Sequence, residues 1–222
     1  QYELAIKLNP KFHEAYNNLA NMYKGSRDHE KAIILYKKAI EINPKYPEAY
    51  NNLALTLINI GKYNDALEYC NKAIELKPKF IESFNNLGLA LMNLSRLNEA
   101  EKNYRISIKL DSNNIVSHNN LGIVQRELGK IKESKLSYEK ALEINPKSVE
   151  ALNNLGMSYR DLGEYKEAEK IFRKAIKIDP DSIKVYSNLL FLQSSQSYDP
   201  KTHIKEAIQF GEILSKNIEL SF

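Results

Sequence analysis

The sequence contains no tryptophan and a single cysteine, Cys70. One cysteine excludes an intramolecular disulfide framework and is typical of a reducing compartment, so we expect a cytoplasmic location. No apolar run reaches the roughly 20 residues that a membrane-spanning helix needs, and no signal peptide is visible. The chain begins at Gln1 without an initiator methionine, so we expect it to be an excised or processed segment.

A block of charge of one sign is also missing. Lys and Arg total 32 against 28 Asp and Glu, a formal net charge of +4, and the basic residues are spread along the chain. This pattern predicts no binding to nucleic acid or to a membrane surface. Apolar residues make up 43% of the 222 residues, which is typical of a folded protein and excludes a disordered one.

What the chain does contain is a repeat of 34 residues. Asn-Asn-Leu-Gly occurs three times and Asn-Asn-Leu-Ala twice, always in the same register. We expect a partial repeat at 1–12, five complete repeats, and a degenerate repeat with a capping or linker helix at 183–222. The complete repeats are 13–46, 47–80, 81–114, 115–148 and 149–182.

Each repeat predicts two helices, here called the first and second helix of the repeat. In the repeat 47–80 they are expected over roughly 47–60 and 64–76. Gly61 follows the first helix, where glycine adopts the left-handed conformation that ends a helix. Pro78 follows the second helix because proline cannot continue it. A helix pair this short cannot bury its apolar face alone, so neighbouring pairs must stack.

Small residues recur where the two helices must approach closely, at Ala66 and Ala73 in one repeat and at Gly88 in the next. With the repeat length, the Leu-Gly pair and the terminal proline, the pattern resembles the tetratricopeptide repeat family from Gln1 to about Asn188. The resemblance implies an all-α fold, a right-handed superhelical solenoid of antiparallel helix pairs. It also implies that the first helices line a concave groove that binds protein.

Asparagine occupies both the fifth and the sixth position of every complete repeat. One interpretation is that these side chains bond a neighbouring helix and fix the stacking, because buried polar groups must be paired. The other is a peptide clamp, since a carboxamide can pair with a peptide backbone as donor and acceptor together. Adjacent positions diverge by about 100° on a helix, so one row is expected to face the groove more squarely. The candidates are Asn17, Asn18, Asn51, Asn52, Asn85, Asn86, Asn119, Asn120, Asn153, Asn154 and Asn188.

Two further rows on the first helices are candidates for partner contact. At the twelfth position, Ile58 and Met92 are apolar where exposure is expected. Arg126 and Arg160 at the same position are expected to attract acidic segments. The ninth position is mostly apolar, which packing against the second helix explains as well as ligand contact does. That row reads Asn21, Leu55, Leu89, Ile123, Met157 and Phe191.

The asparagine rows resemble those in the repeat region of O-linked N-acetylglucosamine transferases and Spindly-like proteins. The C-terminal segment, with Ser187 to Phe191 followed by Tyr198, Asp199 and Pro200, resembles the junction that precedes the catalytic half in this group. The resemblance implies the substrate-recognition region of a protein O-glycosyltransferase. The alternatives are a plain capping helix over 204–214 and a free-standing adaptor that assembles a complex or self-associates through its end repeats.

No catalytic or metal-binding constellation is visible in the chain itself. The four histidines are dispersed without metal-ligand spacing, and no phosphate-binding glycine motif occurs. Cys70 takes a second-helix position that large aromatic residues hold in other repeats, so we expect a buried, inert thiol. We therefore expect no catalytic residue, no metal and no cofactor, and a protein or peptide as the partner, with neither nucleic acid nor membrane.

Overall fold

The computed structural model describes residues 1–194 and 200–219, with side-chain environments for all of these except 200–203 and 216–219. Every element in this part is an α-helix, which confirms the predicted all-α class. The chain divides into two compact units, Gln1–Ser112 and Asn113–Phe222.

Seven helices form the first unit, and their bounds are α1 (Tyr2–Leu8), α2 (His13–Gly25), α3 (His29–Ile42), α4 (Pro47–Asn59), α5 (Tyr63–Leu76), α6 (Ile81–Asn93) and α7 (Leu97–Leu110). The first helices are α2, α4 and α6, and each packs against the second helix that follows it. The bounds of α4 and α5 agree with the predicted ones to within a residue, and Pro47 occupies the first turn of α4, where proline is tolerated.

Six helices form the described part of the second unit, namely α8 (Ile115–Glu127), α9 (Ile131–Ile144), α10 (Val149–Asp161), α11 (Tyr165–Ile178), α12 (Ile183–Ser194) and α13 (Pro200–Glu219). Here α8, α10 and α12 are the first helices. The predicted C-terminal helix over 204–214 lies within α13. Tyr198 and Asp199 of the predicted junction lie outside the described residues.

The turns between the helices of a repeat require a left-handed residue. Gly61, Gly129 and Gly163 take φ values of +77°, +75° and +77° at this point. In two repeats the same turn is made without glycine, by Arg27 at φ 63° and Ser95 at φ 59°. These two residues bear the steric cost that a side chain adds in this conformation.

The first helices lie on the inner side of each unit. Consecutive first helices approach one another, α2 with α4, α4 with α6, α8 with α10 and α10 with α12. No two second helices within one unit approach in this way among the described residues. Each unit is therefore narrower on the side of its first helices, and this side is called the inner face below.

A ring from the second helix closes against a glycine of the first helix in three repeats. A Cβ atom added to Gly156 would lie 2.6 Å from Cε1 of Phe172, and one added to Gly122 would lie 2.5 Å from Cε1 of Tyr138. Both rings are almost completely buried. Glycine at this position is thus the condition for the close approach of the two helices, as the small-residue pattern predicted.

The last helix, α13, packs on α12 through one aromatic contact and one buried ionic group. The rings of Phe210 and Tyr186 stack with their centroids 6.4 Å apart. Glu206 is buried and accepts hydrogen bonds from Arg173 and Gln193. These contacts fix α13 against both α11 and α12.

We expect Gly156→Ala to lower the free energy of unfolding by about 1–3 kcal/mol, because the added methyl group collides with a buried ring. The matched control is Gly211→Ala in α13, where an added Cβ meets nothing within 4 Å. There the loss of backbone freedom in the unfolded chain should raise stability by roughly 0.5–1 kcal/mol. Urea unfolding followed by circular dichroism measures both, and equal effects of the two variants would contradict the packing described here.

Cys70 is completely buried in α5, and this burial raises the pKa of its thiol to about 12. The thiolate, which is the reactive form, is therefore scarce at any pH near neutrality. We expect the native chain at pH 8 to react with a disulfide reagent at least about 100-fold more slowly than the urea-unfolded chain does. Rapid modification of the native chain would show that the thiol is accessible.

Candidate functional site

The fifth-position asparagines face the interior and do not line an open groove. Asn153 is 1% exposed, and the other four side chains of the row are also buried. This burial favours the stacking interpretation for the row, and the peptide clamp stays a prediction there. The fifth-position row consists of Asn17, Asn51, Asn85, Asn119 and Asn153.

The sixth-position asparagines bind the fifth-position asparagines of the preceding repeat. In the first unit Nδ2 of Asn52 donates to Oδ1 of Asn17 at 3.0 Å, and Nδ2 of Asn86 donates to Oδ1 of Asn51 at 2.8 Å. In the second unit Asn154 donates to Asn119 at 3.0 Å, and Asn188 donates to Asn153 at 2.8 Å. These four bonds, each joining residues 35 positions apart, are called the asparagine ladder below.

The ladder confirms the stacking interpretation of the asparagine pairs. Each bond joins two consecutive first helices on the inner face of one unit. In the first unit Ser83 reinforces the ladder, since its Oγ also donates to Oδ1 of Asn51 at 2.9 Å. In the second unit Nδ2 of Asn153 is buried and has no partner among the described residues, which is a local cost of the arrangement.

Part of the side chain stays available on the inner face at five of the six sixth-position asparagines. Asn18, Asn52, Asn86, Asn120 and Asn188 are partly exposed. Since the ladder takes only one N–H of the amide, the carbonyl oxygen and the second N–H remain for another partner. Asn154 is the exception, because it is only 2% exposed and cannot reach a ligand as it stands.

The twelfth-position row is not the continuous contact surface that the sequence predicts. Ile58 is 6% exposed and belongs to the core, so its burial does not favour the predicted contact with a partner. Met92 is partly exposed on the inner face. In the second unit Nε of Arg126 donates to Oδ2 of Asp161 at 2.6 Å, and Nε of Arg160 donates to Oδ1 of the same residue at 3.2 Å.

Asp161 is a site residue that the sequence did not predict. Its carboxylate interacts with two arginines. Its spacing from Arg126 is 35 residues, the same as in the ladder, and this spacing is the signal that the sequence offers for it. The pair of arginines keeps one net positive charge beside the acid. Arg160 also lies over the ring of Phe191, with its guanidinium carbon 5.4 Å from the ring centroid.

The ninth-position row contributes apolar surface to the inner face. Phe191 is 61% exposed, and a guanidinium over its face leaves its edge free for contact. The other apolar members of the row are partly exposed, namely Leu55, Leu89, Ile123 and Met157. Asn21 interrupts the row, and its Oδ1 accepts a hydrogen bond from the hydroxyl of Tyr36 at 2.7 Å.

Neither a membrane-spanning helix nor a metal-binding cluster is present among the described residues. None of the helices there is both long enough and apolar enough to cross a membrane. No group of three or more His, Cys, Asp or Glu side chains in that part is placed to hold a metal ion.

We expect Asn51→Ala to lower the free energy of unfolding by about 1–3 kcal/mol, because Ser83 and Asn86 lose a buried acceptor. The control is Asn18→Ala, which lies at the sixth position of the first complete repeat and has no hydrogen-bond partner in the described part. That variant should change stability by less than roughly 0.5 kcal/mol. If chemical denaturation finds the two variants equally stable, the ladder does not hold the stack.

Comparison with solved structures places the chain among repeat proteins. MamA is 27% identical over 78% of this chain and 94% of that protein, with a TM-score of 0.65. YrrB, described as a TPR protein with an unusual peptide-binding site, is 23% identical over 84% of this chain and 96% of that one, with a TM-score of 0.64. The APC/C hetero-tetramer Cut9–Hcn1 is 17% identical over 96% of this chain and 42% of the other, with a TM-score of 0.82.

Comparison with curated sequences finds no match. One family profile, described as the cilia and flagella-associated protein 70 C-terminal domain, matches residues 8–213, which is nearly the whole chain. The match covers most of both units. The chain therefore belongs to this family of tetratricopeptide repeat domains.

Proposed function

We propose that the chain is an adaptor that binds an extended polypeptide on the inner face of its repeats. Tetratricopeptide repeats are protein-interaction scaffolds, and the fold of this chain is of that type. The observation that carries the proposal is Phe191, a large aromatic side chain that is 61% exposed on the face where the first helices converge. Aromatic side chains are enriched at protein–protein interfaces, and Phe191 lies in the row of partly exposed apolar ninth-position side chains.

Three kinds of side chain support peptide binding on this face. The carbonyl oxygens of the partly exposed sixth-position asparagines accept hydrogen bonds from backbone N–H groups without reading the ligand's side chains. The apolar ninth-position side chains give contact area, with Phe191 as the anchor in the second unit and Met92 beside the row in the first. Arg160 adds a positive charge for an acidic residue of the ligand.

YrrB is the precedent for such a use of the fold, since it is described with a peptide-binding site. It supports peptide binding as a task that this architecture can perform. The residues proposed here rest on the exposure and placement of the side chains of this chain.

The glycosyltransferase context predicted from the sequence has weaker support than the adaptor. It depends on the asparagine rows, and the ladder accounts for them by hydrogen bonds within the protein. It also depends on the C-terminal junction, of which Tyr198 and Asp199 lie outside the described residues. Self-association through the end repeats, which the sequence also predicts, is a separate proposal. Sedimentation across a concentration series tests it.

The test of peptide binding begins with random 12-residue peptides displayed on phage and selected on the folded chain. Selected peptides are then synthesised with a fluorophore, and their dissociation constants are measured by anisotropy. We expect Phe191→Ala to weaken binding at least about tenfold, because it removes an inner-face contact of roughly 1.4 kcal/mol or more.

Controls on the second helices make this result specific. Leu136 of α9 is 61% exposed, the same as Phe191, and Ile34 of α3 is 66% exposed. Leu136→Ala and Ile34→Ala should leave the dissociation constant within about twofold, which is less than 0.5 kcal/mol. Failure to select any peptide, or equal losses from the control variants, would reject the inner face as the binding surface.

A further inference from the structure

Helix α11 carries an unusual stripe of positive charge on its outward side. Arg173 and Lys174 are adjacent, and every member has another member three or four residues away, so they share one broad face of the helix. The four lysines of the stripe are exposed and the arginine is partly exposed. The residues, called the basic stripe below, are Lys166, Lys170, Arg173, Lys174 and Lys177, and they line a shallow depression together with Glu169 and Ile171.

Among the other second helices of the complete repeats, only α7 is also net positive at these positions, with Lys102, Arg105 and Lys109. In α9 the charges at the five corresponding positions cancel, and the same is true of α3. Three helices repeat an ion pair between the fourth and fifth of these positions. The pairs are Lys38–Glu41 at 2.9 Å, Lys72–Glu75 at 2.8 Å and Lys140–Glu143 at 2.7 Å.

In α11 this ion pair is replaced by two lysines, Lys174 and Lys177. Two like charges three residues apart on a helix repel each other, so the exchange is unfavourable for the isolated helix. Neither lysine, nor Lys166, has a carboxylate within 4.0 Å in the described part of the chain. Only Lys170 and Arg173 have acidic neighbours there, Lys170 at 3.6 Å from Glu167.

We propose that the basic stripe is a second binding surface, which takes an acidic segment of a partner polypeptide. From Lys166 to Lys177 the helix advances about 16 Å at 1.5 Å per residue. An extended chain covers that distance with roughly five residues at 3.3 Å each. The stripe therefore fits a run of about five residues rich in Asp and Glu. The carboxylates of such a run would pair with the lysines that have no acidic neighbour in α11.

The stripe is distinct from the peptide-binding face proposed above. It lies on a second helix, whereas Phe191 and the sixth-position asparagines belong to first helices. The two surfaces can thus be tested separately, and the failure of one does not decide the other.

The test measures the anisotropy of a fluorescent peptide containing six consecutive glutamates, with a six-glutamine peptide as the ligand control. In 50 mM salt we expect saturable binding of the glutamate peptide that weakens at least fivefold in 300 mM salt, because the salt screens exposed charges. Lys177→Glu should weaken binding at least fivefold. This substitution recreates the ion pair that α3, α5 and α9 contain, so the helix has three precedents for folding with it.

The matched control is Lys132→Glu, an exposed residue of α9 at the position that corresponds to Lys166. It alters the net charge by the same amount and should leave binding within twofold. Phe191→Ala should also leave it unchanged. Equal losses from Lys132→Glu and Lys177→Glu, equal binding of the glutamine peptide, or tighter binding of a single-stranded oligonucleotide than of the glutamate peptide would overturn the proposal.

Discussion

The asparagine ladder is the constraint on which the inner face depends. Each of its bonds joins consecutive first helices, from a partly exposed or buried donor amide to a fully buried acceptor. In the first unit Asn86 reaches Asn51, and in the second Asn188 reaches Asn153. Since a buried carboxamide is costly without a partner, the register of one repeat against the next is fixed by polar pairing as well as by apolar packing. The repeated asparagines are therefore explained first by the stack.

The ladder also determines which side-chain groups on the inner face remain available to bind a partner. The fifth-position asparagines are buried inside the protein. The sixth-position asparagines present only one face of each amide to a ligand. Apolar contact then depends on Phe191 and the ninth-position row, with Arg160 held between Phe191 and Asp161. In the proposed function, a peptide that contacts these groups would be recognised by its backbone and by a few apolar or acidic side chains. Recognition of this kind is suited to an adaptor.

The features that the sequence predicts are those set by local rules of residue spacing and residue size. The helix pairs, the left-handed turn at Gly61 and the close approach at Gly156 follow from spacing and residue size, and the structure contains all three. The burial of Ile58 and of the fifth-position asparagines depends on how helices cross in three dimensions, which the repeat period does not encode. The basic stripe does not form a block of like charge in the sequence, because acidic and apolar residues separate all of its cations except the adjacent Arg173 and Lys174.

The most direct test of the ladder is a double-mutant cycle on one of its bonds in the second unit. Asn119→Ala, Asn154→Ala and the double variant are compared by urea unfolding. If the amide pair ties consecutive repeats together, the two substitutions are coupled by about 0.5–1.5 kcal/mol, because the second removes a bond that the first has already broken. Strict additivity, within roughly 0.3 kcal/mol, would mean that the asparagines contribute independently and that the stack is held by apolar packing alone.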